Sequence, residues 1–207
     1  MPSLTVRAFA ELLELPAHRQ ARILTEQKYP KQGPQSFKAP YYQQALTGIR
    51  AFFRAGNDMS QLALAAARIE GFRQESKRDN NLRVLNGFRS SELAARRLAL
   101  GPARRVRVEA HDVQLRFSPD LAGQIDRAER FILLHCRAGP LNPELARTTL
   151  ELSHWVLERA GQVPPLDQLE YIDLQGGNSY SISGRRVETI EAAEQALVQI
   201  KEIWEEI

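Results

Sequence analysis

Sulfur is scarce in this chain, with one cysteine and two methionines in 207 residues. A lone cysteine cannot form an internal disulfide. It also excludes a cysteine-ligated zinc finger and a four-cysteine iron–sulfur cluster. Long apolar runs are missing too: no uncharged stretch approaches the ~18–20 residues needed to cross a bilayer, so no membrane partner is expected. The first residues, MPSLTVRAFAELLELP, include acidic side chains and lack a basic-then-apolar leader layout. The expected setting is a reducing cytoplasm. What is present is an ordinary globular mixture, 43% hydrophobic and 26% charged, which excludes a disordered chain. The length suits one substantial domain or two small ones.

The net charge of +3 hides an asymmetry. Residues 1–110 hold 19 Lys+Arg against 9 Asp+Glu, and residues 111–207 hold 9 against 16. The halves therefore carry +10 and −7. A basic half can steer towards phosphate backbones, although charged helices also simply solvate their outer faces.

Apolar periodicity divides the chain again. Residues 4–15, 18–27, 42–55, 58–75 and 82–100 have helical spacing, the last with an interruption near Asn86-Gly87. The first hundred residues are expected to be essentially all α. Residues 104–109, 112–118 and 121–126 alternate as strands do, and Pro119-Asp120 makes a turn before the third. Residues 130–136, RFILLHC, form a continuous apolar run suited to a strand buried on both faces. Asn142 as N-cap and Pro143 at the first helical position open a helix to about Ala160. A hairpin follows (168–175 and 179–183, turning at Gly176-Gly177-Asn178), and then a terminal helix from Thr189. The expected class is α/β: a helical region over 1–103 and a core over 104–207 with one mixed sheet flanked by helices, together in one domain.

Four features fall on successive elements of that core. They are Glu109 on the first strand, Gly123-Gln124-Ile125-Asp126 on the third, His135-Cys136-Arg137-Ala138-Gly139 closing the apolar strand, and Glu151 with Trp155 at i, i+4 on the next helix. The order resembles the RecB-type branch of the PD-(D/E)XK nuclease superfamily over residues 104–183. In that branch a Glu, then Gly-x-x-Asp, then Asp-x-Lys-Thr-Gly, then Gln-x-x-x-Tyr stand in these places. The resemblance implies a restriction-endonuclease-like fold with Glu109, Asp126 and His135 as metal ligands, Arg137 as the catalytic cation, and Glu151 and Trp155 supporting them.

The departures bear on activity. His135 supplies a nitrogen where an anionic oxygen would hold magnesium, and Arg137 stays protonated where a lysine could be tuned. Both changes favour gripping phosphate over cutting it. No cofactor is therefore expected, with manganese or magnesium required only if cleavage survives. Each residue also has a plain structural role open to it. Asp126 could cap a strand end, Glu109 could balance Arg104, Arg105 and Arg107, His135 could sit at a core rim, and Glu151 and Trp155 could pack a helix.

Basic and aromatic residues interleave over 28–42: Lys28, Lys31 and Lys38 with Tyr29, Phe37, Tyr41 and Tyr42. That mixture suits a nucleic-acid strand, because every base offers a face for stacking. Arg96, Arg97, Arg104 and Arg105 extend the candidate basic surface. The expected function is a DNA- or RNA-binding accessory subunit of a DNA-processing or defence system, with a nuclease-like core that no longer cuts. The alternatives are a working metal-dependent nuclease and a purely structural protein partner, for which the acidic terminal helix is the candidate surface.

Overall fold

Asn142 accepts a hydrogen bond from the Glu144 amide, and Pro143 takes the first helical position, where its missing N–H costs nothing. The helix this pair starts joins two parallel central strands, the right length of crossover for a β-α-β unit. The fold was obtained as a computed structural model, which describes residues 1–30 and 41–207. In chain order the elements are β1 (Ser3–Thr5), α1 (Val6–Leu13), α2 (Ala17–Lys28), α3 (Gln43–Arg54), α4 (Met59–Glu70), α5 (Glu75–Ser90), α6 (Glu92–Ala95), β2 (Ala99–Leu100), β3 (Val106–Ala110), β4 (Val113–Phe117), β5 (Leu121–Ile125), β6 (Ala128–His135), α7 (Pro143–Arg159), β7 (Leu169–Asp173), β8 (Ser179–Tyr180) and α8 (Val187–Glu206). The α/β class with helices flanking mixed sheet is as expected. No helix of the described residues is long and apolar enough to cross a membrane.

There are two sheets rather than one. The larger has the order β2-β5-β6-β7-β8, and the smaller has β1-β4-β3. Within them β6–β7 and β1–β4 run parallel and the other pairs antiparallel. Strand β6 is the spine. Its side chains alternate faces with period two, so Phe131 and Leu133 join a core with α1, α7 and α8, while Ile132 and Leu134 join a second core with α3, α4 and α5. This double coverage is why residues 130–136 read as uninterrupted apolar sequence.

Three further expectations need correcting. The first hundred residues are not all α: β1 pairs with β4 and β2 with β5. Helices α1 and α2 lie on one core and α3 to α5 on the other. Helix α5 runs through Asn86-Gly87 without interruption. Gly87 is required there by contact, because a Cβ would lie 1.9 Å from the Leu174 carbonyl oxygen. Finally, α8 begins at Val187, two residues before Thr189, and its N-terminus is met by Glu151 from α7.

Candidate functional site

A cleft of about 490 Å³ lies between α1, the start of α3, the end of β4 and the end of β6. Its floor is built around Asp120. The Asp120 amide donates to the Ile132 carbonyl at 2.9 Å, and its Oδ2 accepts from the Leu134 amide at 2.8 Å. The residue is thus stitched by backbone and side chain to the last turns of β6, beside His135. Arg7 of α1 completes the arrangement. Its guanidinium donates to Asp120 Oδ2 at 2.6 Å and to the Leu134 carbonyl at 3.3 Å, and it lies 6.0 Å from the centre of the Tyr171 ring. Burial alone would lower the Arg7 pKa, and the facing Asp120 raises it above the ordinary arginine value. Arg50 adds a further bond to the Asp120 carbonyl at 3.0 Å.

The rim is mixed basic and aromatic. Arg137 pairs with Glu11 at 2.8 Å but stays largely exposed, and Arg116 also lines the cleft. His135 stands edge-on to Tyr171 with 6.3 Å between ring centres. Tyr41 and Tyr42 meet edge to face at 5.0 Å on the opposite wall. Their position depends on Asn81, a fully buried residue of α5. It donates to the Tyr41 and Lys77 carbonyls at 3.0 and 2.8 Å and accepts from the Ala45 amide at 3.2 Å. Cys136 lines the same cleft, but burial first, and then the nearby Asp120, push its thiol up to about 12. It is no nucleophile.

Of the three residues expected to hold a metal, only His135 is here. Asp126 lies in the turn between β5 and β6, with φ of +50° followed by +67° at Arg127. It sits beyond the far end of β6, seven residues from Ala128 to His135, or roughly 23 Å at ~3.3 Å per residue. Gly123 has a packing cause as well: a Cβ would come within 2.3 Å of the Ala99 carbonyl oxygen, where β2 crosses close. Glu109 belongs to the other sheet, exposed and opposite Gln114. The expected convergence of Glu109, Asp126, His135 and Arg137 does not occur. The acids at the site are Glu11 of α1 and Asp120, the second marked in the sequence only by the Pro-Asp pair ahead of β5.

Glu151 and Trp155 do not support this site. Glu151 is fully buried and accepts from Arg147 Nε at 2.9 Å and the Arg186 amide at 3.3 Å. Burial would raise its carboxyl, but hydrogen bonds from Thr189, Arg147 and the Arg186 backbone hold it below the usual carboxylate value. Its role is to satisfy the start of α8. Trp155 packs in the first core with the Arg159 guanidinium 4.6 Å above its ring.

The proposed basic surface also divides. Lys28 donates to the Trp204 carbonyl at 2.6 Å and lies over the Trp204 ring, so it fastens α2 to α8. Ile203, Trp204 and Ile207 pack on the first core, so this apolar side of α8 is covered by the protein's own residues. Arg96 is tied to the buried carboxylate of Glu170, and Arg104 pairs with Glu129 at 2.7 Å. Arg97 and Arg105 are exposed. Lys31 and Lys38 lie outside the described residues.

The donor set does not fit a divalent cation. Glu11, Asp120, His135 and Cys136 all line the cleft, but among the described residues no three His, Cys, Asp or Glu side chains are placed to hold a metal ion. The two carboxylates at the cleft are both engaged by guanidinium groups, Asp120 by Arg7 and Glu11 by Arg137. A hard cation of the magnesium type needs several open oxygens. No family model, curated protein or solved structure matches the chain.

Proposed function

We propose that this protein binds nucleic acid in the cleft at the end of β6 and does not cut it, serving as an accessory component of a DNA-processing or defence assembly. The observation that carries this reading is the Arg7–Asp120 pair. A guanidinium, permanently charged, takes the carboxylate oxygen that a catalytic metal would need. Of the motifs that carry the PD-(D/E)XK resemblance, only His135-Cys136-Arg137 at the end of β6 lies at the cleft, and Asp120 at the start of β5 stands beside it. The chemistry there favours binding. Arg116 and Arg137 suit phosphate oxygens, and the Tyr41-Tyr42 edge suits stacking on an unpaired base.

The test is anisotropy with labelled single-stranded DNA and RNA in magnesium, manganese or EDTA. Binding is expected to be indifferent to metal, to weaken steeply with salt, and to leave the strand intact. Absence of binding at low salt would favour a structural partner protein. Metal-dependent cleavage lost on Asp120→Ala would establish a nuclease.

A further inference from the structure

The outer face of the small sheet carries two arginines that form no ion pair among the described residues, with Glu109 the one carboxylate beside them on that face of β3 and β4. Arg107 of β3 and Arg116 of β4 stand directly opposite each other in the antiparallel register. Both are exposed, and among the described residues neither has a carboxylate within ion-pair distance. Like charges facing across a strand pair are destabilising, and local conflicts of this kind concentrate where a protein meets a ligand. Arg105, exposed, stands just before β3 begins. It also lines a second pocket, about 210 Å³, together with Arg50 and Arg54. Arg54, in the last turn of α3, likewise has no carboxylate partner among the described residues. This pocket and the cleft meet at Ser118 and Asp120, which line both, while Arg116 lines the cleft itself. Positive charge therefore continues from the Arg54–Arg105 pocket, over the β3–β4 face, into the cleft.

We infer that this face holds the phosphodiester backbone of a single nucleic-acid strand whose unpaired base enters the cleft beside Tyr41 and Tyr42. The inference rests on the proposed function and adds the path and the single-stranded class of ligand. Phosphates lie along Arg54, Arg105 and Arg107, with Arg116 at the point where the strand turns inward. The cleft admits a base only when it is free of its pairing partner, so a duplex bears on the arginine face alone.

The triple variant Arg54→Ser, Arg105→Ser, Arg107→Thr removes the track without touching a cleft-lining residue. It is compared with the natural protein on single strands of about 4 and about 12 nucleotides, both within the range of common site sizes. The short strand, held by the cleft, is expected to bind the two proteins equally. The long strand is expected to bind the variant at least about tenfold more weakly, with a salt slope shallower by roughly 2, at ~0.7 per phosphate contact for single strands. Arg107→Thr alone should also raise the thermal midpoint of the free protein at low salt, a gain that disappears as salt screens the arginine pair. Equal long-strand affinity for both proteins would overturn the track and leave the cleft reading standing. No binding of either strand by the natural protein would overturn both. Competition by a duplex of equal length as strong as by the single strand would overturn the single-stranded assignment.

Discussion

Arg7 donates to Asp120 at 2.6 Å across 113 residues of sequence, joining the first helix to the entrance of the central hairpin. The carboxylate also receives the Leu134 amide, so the pair sets the position of α1 relative to the end of β6. The Asp120 side chain is 11% exposed, so breaking this pair costs more than breaking a surface ion pair.

Removing the cation alone leaves a mostly buried carboxylate with only one strong donor. Arg7→Met is therefore expected to cost about 2–4 kcal/mol. Arg7→Met combined with Asp120→Asn should cost less than the sum of the two single changes, with a coupling of about 1–3 kcal/mol. Urea unfolding of the four proteins measures this. Strict additivity would mean that the two side chains are independent.

Two glycines are held by backbone neighbours and not by turns. A methyl at Gly87 meets the Leu174 carbonyl at 1.9 Å, and one at Gly123 meets the Ala99 carbonyl at 2.3 Å. Backbone cannot swing away as a side-chain tip can. Gly87→Ala and Gly123→Ala are each expected to destabilise by about 3 kcal/mol or more, despite the gain in helix propensity at position 87. Gly56→Ala makes a useful contrast. A Cβ there meets nothing within 4 Å, and its cost comes from φ of +71° alone, about 1–2 kcal/mol. Thermal melts of the three variants give the order.

These positions also show what could be read in advance. The α7 start was legible because its signal is local: Asn142 caps Glu144 and Pro143 follows at once. The β6 run was legible because a strand covered on both faces has no polar side to show. Gly123 and Asp126 misled because their causes lie elsewhere: the first is fixed by the close pairing of β2 alongside β5, and the second by hairpin register. Strand β1 is three residues long and pairs with β4 more than a hundred positions away, so no periodicity announces it. Arg7 stood inside an ordinary amphipathic helix, and nothing near it in sequence named Asp120 as its partner.

Glu151 makes acid stability testable. Its carboxyl is held below the usual range in the folded state, so ionisation is easier folded than unfolded. Stability from this group is present above the unfolded value, about pH 4.3, and is lost as pH falls through the lower folded value. Glu151→Gln should cost about 3 kcal/mol near pH 7, because a fully buried acceptor of guanidinium and amide donors is replaced. The difference between the two proteins should shrink progressively below ~pH 4.3. A gap that stays constant down to acid pH would show that the charge of Glu151 is immaterial to the start of α8.

Building a metal site in the cleft takes more than changing His135 and Arg137. His135→Asp returns an acidic oxygen and Arg137→Lys a tunable amine, yet Arg7 still occupies Asp120 Oδ2. Displacing a bonded guanidinium with a hydrated divalent ion means breaking a short charge-assisted bond in a poorly solvated place. The double variant is expected to bind neither magnesium nor manganese and to leave single-stranded DNA intact. Adding Arg7→Ala frees the carboxylate beside the new aspartate, so two anionic groups then face one space, with the Leu134 carbonyl adjacent. Metal binding by the triple variant, but not the double, is the expected result, read by calorimetry with manganese and by the metal-dependent rise in thermal midpoint. Cleavage by the triple variant would show that the cleft retains the remaining geometry for hydrolysis. Metal binding already present in the double variant would show that Arg7 is no barrier, and would remove the main ground for a binding-only site.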